Sequence, residues 1–148
     1  MVDAVFSCPP AWEPWVSSWT RRLRKTEELS EQRWGTLLLP PGTVQAMQAV
    51  PVSCACLLVE GICPAELLSS VKTAHVVTYG MSPRDSLTLS SLQEPVLCVQ
   101  RSLQRPDGAV MEPQELPLKD LPLPPEQMLP LLGLQLLQMP LTGKPFLW

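Results

Sequence analysis

Eighteen of the 148 residues are proline, against a usual share of about 5%. Proline fixes φ and has no amide hydrogen, so it stops a helix and is excluded from the middle of a sheet. Spread from Pro9-Pro10 to Pro145, these residues confine the chain to short elements joined by tight corners. Short apolar runs lie between them. Ala4-Val5-Phe6-Ser7-Cys8 is closed by Pro9-Pro10, and Gly35-Thr36-Leu37-Leu38-Leu39 by Pro40-Pro41-Gly42. Val52 to Val59 is continuous in its apolar residues, as strands buried in a parallel sheet are. A fourth run, Ala74 to Tyr79, ends in a glycine turn at Gly80.

Helical signals alternate with these strands. Thr43 to Val50 reads as a short helix with Thr43 as its N-cap. Pro64 suits the first position of a helix reaching Val71. Strand, helix and strand in that order imply a right-handed βαβ unit. From Ala11 to Arg33 the pattern also predicts helix, with Trp12, Trp15, Trp19 and Leu23 sharing one face. Arg21, Arg22, Arg24 and Lys25 precede Glu27, Glu28 and Glu31, the reverse of what a helix dipole favours, which points to two helices meeting near Thr26. The tryptophan face reads first as core; exposed, Trp12, Trp15 and Trp19 would form a partner-docking surface.

After Gly80 the character changes. Ser86–Leu92, Val96–Leu103 and Ala109–Leu118 read as antiparallel strands, separated by Gln93-Glu94-Pro95 and by Arg105-Pro106-Asp107-Gly108. Pro-Asp-Gly is a turn because proline presets φ and glycine accepts φ > 0. Pro122 to Pro125 is a stiff linker into a final helix, Glu126 to Met139, offering Leu129, Leu132, Leu136 and Leu137 to the core. The expected fold is a single α/β domain over 1–148. It is a Rossmann-like three-layer arrangement whose parallel sheet is extended by antiparallel hairpin strands and a C-terminal helix. Residues 1–80 hold the βα units, 81–118 the antiparallel strands, 119–139 the linker and helix, and 140–148 an irregular tail.

Composition narrows the function. A formal net charge of −3 argues against a non-specific nucleic-acid binder, which needs a basic patch. No apolar run reaches the roughly 18 residues of a membrane span. Asp3, Pro9 and Pro10 break any signal-peptide pattern, so a cytoplasmic location is expected. The five cysteines are odd in number and lie mostly in apolar contexts, which reads as buried free thiols rather than disulfides. Cys54 and Cys56 fall on one face of a strand, but a zinc site wants further ligands and His75 is the only histidine. No metal and no cofactor are expected. Gly143-Lys144 lacks the spacing of a phosphate loop. His75 reads as structural, Asp85 as a loop cap or a partner of Arg84, and Glu112 with Glu115 as a carboxylate pair without a companion nucleophile.

Val76-Val77-Thr78-Tyr79-Gly80-Met81-Ser82 resembles the late strand and turn of Mur ligase central domains. There an apolar strand ends in Tyr-Gly or Phe-Gly and a polar segment follows. The continuation is similar too: a hairpin region, Leu121-Pro122-Leu123-Pro124, then an apolar helix, so the resemblance covers residues 74–139. The family's Gly-Lys-Thr/Ser loop has no counterpart, Pro125-Glu126-Gln127-Met128-Leu129 stands where a His-Asn-x-x-Asn motif would be, and the magnesium carboxylates are unmatched. The resemblance therefore implies architecture and no catalytic residue. Small bacterial proteins of Firmicutes type resemble the chain in Thr78-Tyr79-Gly80-x-Ser82, Gln100-Arg101 and Glu112 to Glu115. That resemblance implies one surface holding the ligand-binding candidates Tyr79, Gly80, Ser82, Arg84, Asp85, Gln100, Arg101, Glu112, Gln114 and Glu115.

The competing structural reading of these polar residues is turn and hairpin stabilisation, with Arg101 paired to Glu112 or Glu115 across the turn. The expected function is a non-catalytic domain that binds an unknown protein partner or a small molecule. One alternative is a nucleotide-binding or ligase-related subunit whose phosphate loop comes from another chain, with Tyr79 and Arg84 facing base or phosphate. The other is a scaffold docking through the Trp-rich helix.

Overall fold

The short apolar runs become strands of a mixed, mostly parallel sheet, seen in a computed structural model that describes residues 1–47, 49–138 and 146. In chain order the strands are β1 (Val2–Phe6), β2 (Arg21–Leu23), β3 (Trp34–Leu38), β4 (Val52–Glu60) and β5 (Val71–Tyr79). They are followed by β6 (Leu87–Leu89), β7 (Val96–Val99), β8 (Leu103–Gln104), β9 (Val110–Met111) and β10 (Gln114–Pro117). The α-helices are α1 (Thr26–Leu29) and α2 (Pro125–Gln138). Eight strands form one sheet in the order β10-β7-β6-β5-β4-β3-β1-β2, and β8 pairs with β9 in a separate hairpin. β1 to β6 run parallel, while β7 lies antiparallel to both β6 and β10.

Alternation along the central strands divides the buried side chains. Leu38 and Leu58 pack with Met128, Leu132 and Leu136 of α2, whereas Leu37, Leu39, Leu57 and Val59 pack with Leu29, Trp34 and Met47. With period two, these sets occupy opposite faces of the sheet. Met128 to Leu137 of α2 are all buried, as expected of a helix that is apolar on every side. Gly133 permits the close approach: a Cβ there would lie 2.8 Å from Leu87 Cδ1 and 3.2 Å from Leu58 Cδ2. Among the described residues, no helix is long and apolar enough to cross a membrane.

The largest departure from expectation lies between Ala11 and Arg33. There is no long helix. Pro10–Trp15 is a 3₁₀ turn with Pro14 inside it, β2 follows, and α1 has only four residues. The basic cluster explains the alternative. The Arg22 guanidinium donates to the carbonyls of Val16 (2.9 Å), Ser17 (2.8 Å) and Thr20 (2.7 Å), and to Glu13 Oε2 (3.1 Å). Carbonyls that a helix would have satisfied internally are held by one planar fork instead. The tryptophans consequently part company: Trp12 is 4% exposed and packs near α2, Trp15 is 36% exposed, and Trp19 is 59% exposed.

Smaller corrections have local causes. Val44–Met47 and Ala65–Leu68 are 3₁₀ turns rather than α-helices: Pro51 lies soon after the first, and β5 begins at Val71 just after the second. Thr43 does not cap; its hydroxyl donates to the Pro40 carbonyl at 2.7 Å. Val96–Leu103 and Ala109–Leu118 each divide into two strands, and β6 joins β5 in parallel before turning back into β7. The Pro-Asp-Gly turn forms as expected: Gly108 has φ +90° and the Arg105 N–H reaches the Ala109 carbonyl at 2.8 Å. The expected tail, 140–148, lies outside the described residues apart from the buried Phe146, as does Met139 at the end of the last helix.

Candidate functional site

Parallel strands end together, so their carboxyl ends form the natural crevice of an open α/β sheet. Here Glu60-Gly61 follows the body of β4 and Tyr79-Gly80 that of β5, joined where the Gly61 N–H meets the Tyr79 carbonyl at 2.9 Å. The loop 80–86 folds back over that edge. Thr78 and Ser86 exchange bonds, with the Thr78 N–H donating to Ser86 Oγ (3.2 Å) and the Ser86 N–H to Thr78 Oγ1 (3.0 Å). The side chains thereby extend a β5–β6 ladder that has one backbone pair, Tyr79 with Leu87.

Asp85 is the centre of this loop. Its carboxylate is buried (4% exposed) and accepts from the Ser82 N–H at 3.1 Å, while its own N–H donates to the Ser82 carbonyl at 3.0 Å. The carboxylate lies where a Cβ on Gly61 or on Gly80 would stand. Glycine is required at both positions because the acid occupies the space, and the acid in turn fills the crevice.

The other candidates brace this arrangement. Gln100 Nε2 donates to the carbonyls of Asp85 (2.7 Å) and Ser82 (3.2 Å), and Arg101 Nη2 donates to the Arg84 carbonyl at 2.7 Å. Tyr79 is 3% exposed and its hydroxyl donates to the Leu39 carbonyl at 2.7 Å; burial pushes the phenol far above its ordinary value, helped by Glu60 and Cys63. The ring is thus part of the core. Arg101 does not form the expected cross-strand ion pair, because the Arg84 carbonyl engages it and Ser102 bonds Glu112 instead, at 3.2 Å. Gln114 donates to the Glu112 carbonyl at 3.1 Å and Glu115 is exposed on β10. The loop, Gln100 and Arg101 therefore converge, Glu112 joins them through Ser102, and Glu115 stays apart on a strand opposite Cys98.

Below the loop the same strand meets a void that sequence reasoning missed. A cavity of about 320 Å³ lies between Ala74–Val77 of β5 and Arg101–Gln104, with Ser86 and Val110 at its margins. It opens because β5 has nine residues and β6 three, a difference that shows only in the folded chain.

The five cysteines are free. Burial raises the Cys56 thiol to about 12, helped by Cys54 and Asp3, and the Cys8 thiol to about 11, helped by Glu13. Such thiols are poor nucleophiles at neutral pH. Among the described residues, no group of three or more His, Cys, Asp or Glu side chains is placed to hold a metal ion. Comparison with protein-family models, curated proteins and solved structures finds no match to this chain.

Proposed function

We propose that this chain is a non-catalytic, Rossmann-like three-layer α/β domain that acts by binding a protein partner, with an architecture related to the Mur ligase central domain. The strand order β2-β1-β3-β4-β5 is one used by doubly wound sheets, which supports the architectural part of the reading. The observation that carries the functional part is the seating of Asp85 against Gly61 and Gly80. At the carboxyl edge of β4 and β5 a carboxylate of the chain itself fills the space beside both glycines, and Gln100 and Arg101 hold its loop by their carbonyl bonds. An anionic plug there also repels a phosphate.

Thermal-shift measurements with ATP, UDP-sugars and Mg²⁺ test the reading, because any ligand of the folded state raises the melting temperature by mass action. The melting temperature is expected to stay unchanged with each. A reproducible ATP-dependent rise would overturn the proposal and favour a nucleotide-binding subunit completed by another chain.

A further inference from the structure

The cavity beside β5 has the dimensions of a missing strand. β7 stands two places from β5 in the sheet, with β6 between them. That intervening lane is filled only where β6 runs, from Leu87 to Leu89, and Tyr79 is the one β5 residue paired with it. The chain leaves β7 through Gln100, whose N–H still reaches the Ser86 carbonyl at 2.8 Å, and continues as residues 101–104 along the far side of the cavity. Between these banks, below Ser86, no described residue adds a strand to the sheet over the length of Ala74–Val77, which is about 13 Å at the usual rise.

Backbone chemistry names the occupant. In a parallel ladder the N–H and C=O of one residue point the same way, and successive residues alternate. The Tyr79 carbonyl faces β4, where it meets the Gly61 N–H, while the Gly80 and Thr78 N–H groups face β6, bonding the Leu87 carbonyl and Ser86 Oγ. By the same alternation Val76 turns its N–H and C=O groups into the lane, and among the described residues they find no partner; the alternation changes phase at Ala74, where the β4–β5 ladder skips a pair and Val71 packs with the opposite core from Val77. Val76 (48% exposed) and Val110 (57% exposed) flank the opening. The lining includes Arg101 and His75 and holds no carboxylate.

We infer that this lane is a docking slot for an extended segment of a partner protein, which adds a strand beside β5 by backbone hydrogen bonding. The segment carries apolar residues at alternate positions for Val76 and Val110, with neutral or acidic residues between them to suit Arg101 and His75. Exposed main-chain groups supply the affinity in such strand addition, and side-chain spacing supplies the selectivity. The inference rests on the partner-binding reading above and gives it a location and a chemistry.

A phage-displayed library of random dodecapeptides, selected on the intact chain, tests it. The selected peptides are resynthesised with and without N-methyl groups at alternate backbone nitrogens. The expected binders slow hydrogen exchange at the Val76 amide and lose at least tenfold in affinity on N-methylation. Val76→Pro, which removes the lane-facing N–H while leaving the β4 ladder intact, is expected to cause a similar loss. If that variant misfolds, the N-methylated peptides decide the matter alone. Failure to select any binder overturns the inference, as does a binder indifferent to N-methylation. Protection confined to the neighbourhood of Trp15 and Trp19 also overturns the slot, while leaving the partner-binding reading standing. Concentration-dependent self-association that protects the same amide overturns it in favour of a second copy of this chain.

Discussion

The two ends of β5 contrast sharply. At its carboxyl end the strand is sealed: Tyr79 is tied to Leu39, Gly80 is backed by Asp85, and the loop 80–86 is pinned by Gln100 and Arg101. Four residues earlier the same strand has one side in the β4 ladder and the other beside a void. The difference teaches that the expected ligand crevice and the unpaired edge of β5 need not coincide. The glycine turn after β5, where the sequence reading expects a ligand, holds an internal carboxylate.

The largest effect should come from unsealing the closed end. Gly61→Val drives a branched side chain into the Asp85 carboxylate, and overpacking of this kind costs about 3 kcal/mol. Urea denaturation should show that loss, and adding Asp85→Ala should recover more than half of it. A loss near zero would mean the seal is loosely packed.

Alkaline pH should weaken the β4–β5 pair. The Cys56 thiol, with an ordinary value of 9.0, is raised to about 12 in the fold, and the Tyr79 phenol is raised as well. The folded state therefore binds more protons than the unfolded chain above pH 9. Stability is fully present below that value and falls, by about 1.4 kcal/mol per pH unit for each such group, as pH rises toward 12. Cys56→Ala should flatten that slope between pH 9 and 11; an unchanged slope would contradict the burial argument.

Gln100→Ala removes its two carbonyl bonds to the loop while leaving that of Arg101, and should cost about 1 kcal/mol, the usual net worth of such hydrogen bonds. At the open end, by contrast, Val76→Lys should change stability by no more than about 0.5 kcal/mol, as exposed substitutions generally do. A loss of 2 kcal/mol at Val76 would show that the lane is filled by packed structure and would erase the contrast.

Parts of this arrangement were legible in the sequence for clear physical reasons. The runs at Ala4–Cys8, Gly35–Leu39, Val52–Val59 and Ala74–Tyr79 are apolar because the sheet interior demands it, and each holds a strand. Pro-Asp-Gly dictates its own turn, and Pro125 with the leucines after it dictates α2. The segment 11–33 misled because Trp12, Trp15, Trp19 and Leu23 imitate a helical face. Pro14 and the carbonyl-binding Arg22 override that periodicity, and no local pattern announces which carbonyls an arginine will claim. The loop candidates were found as a group, since Gly80, Ser82 and Asp85 punctuate the turn visibly. Their role as a plug was hidden, because the contact with Gly61 joins residues 24 positions apart. The lane was less legible still. It arises from the register of β6 against β5, a tertiary quantity that composition and periodicity do not encode.

Residue-resolved hydrogen exchange along β5 in the free chain tests the central contrast most directly. The amides of His75 and Val77, which face β4, should be strongly protected, and that of Val76 between them should exchange at least a hundredfold faster. Equal protection of all three amides would contradict the account, because it would mean that the lane beside β5 is already occupied by the chain itself.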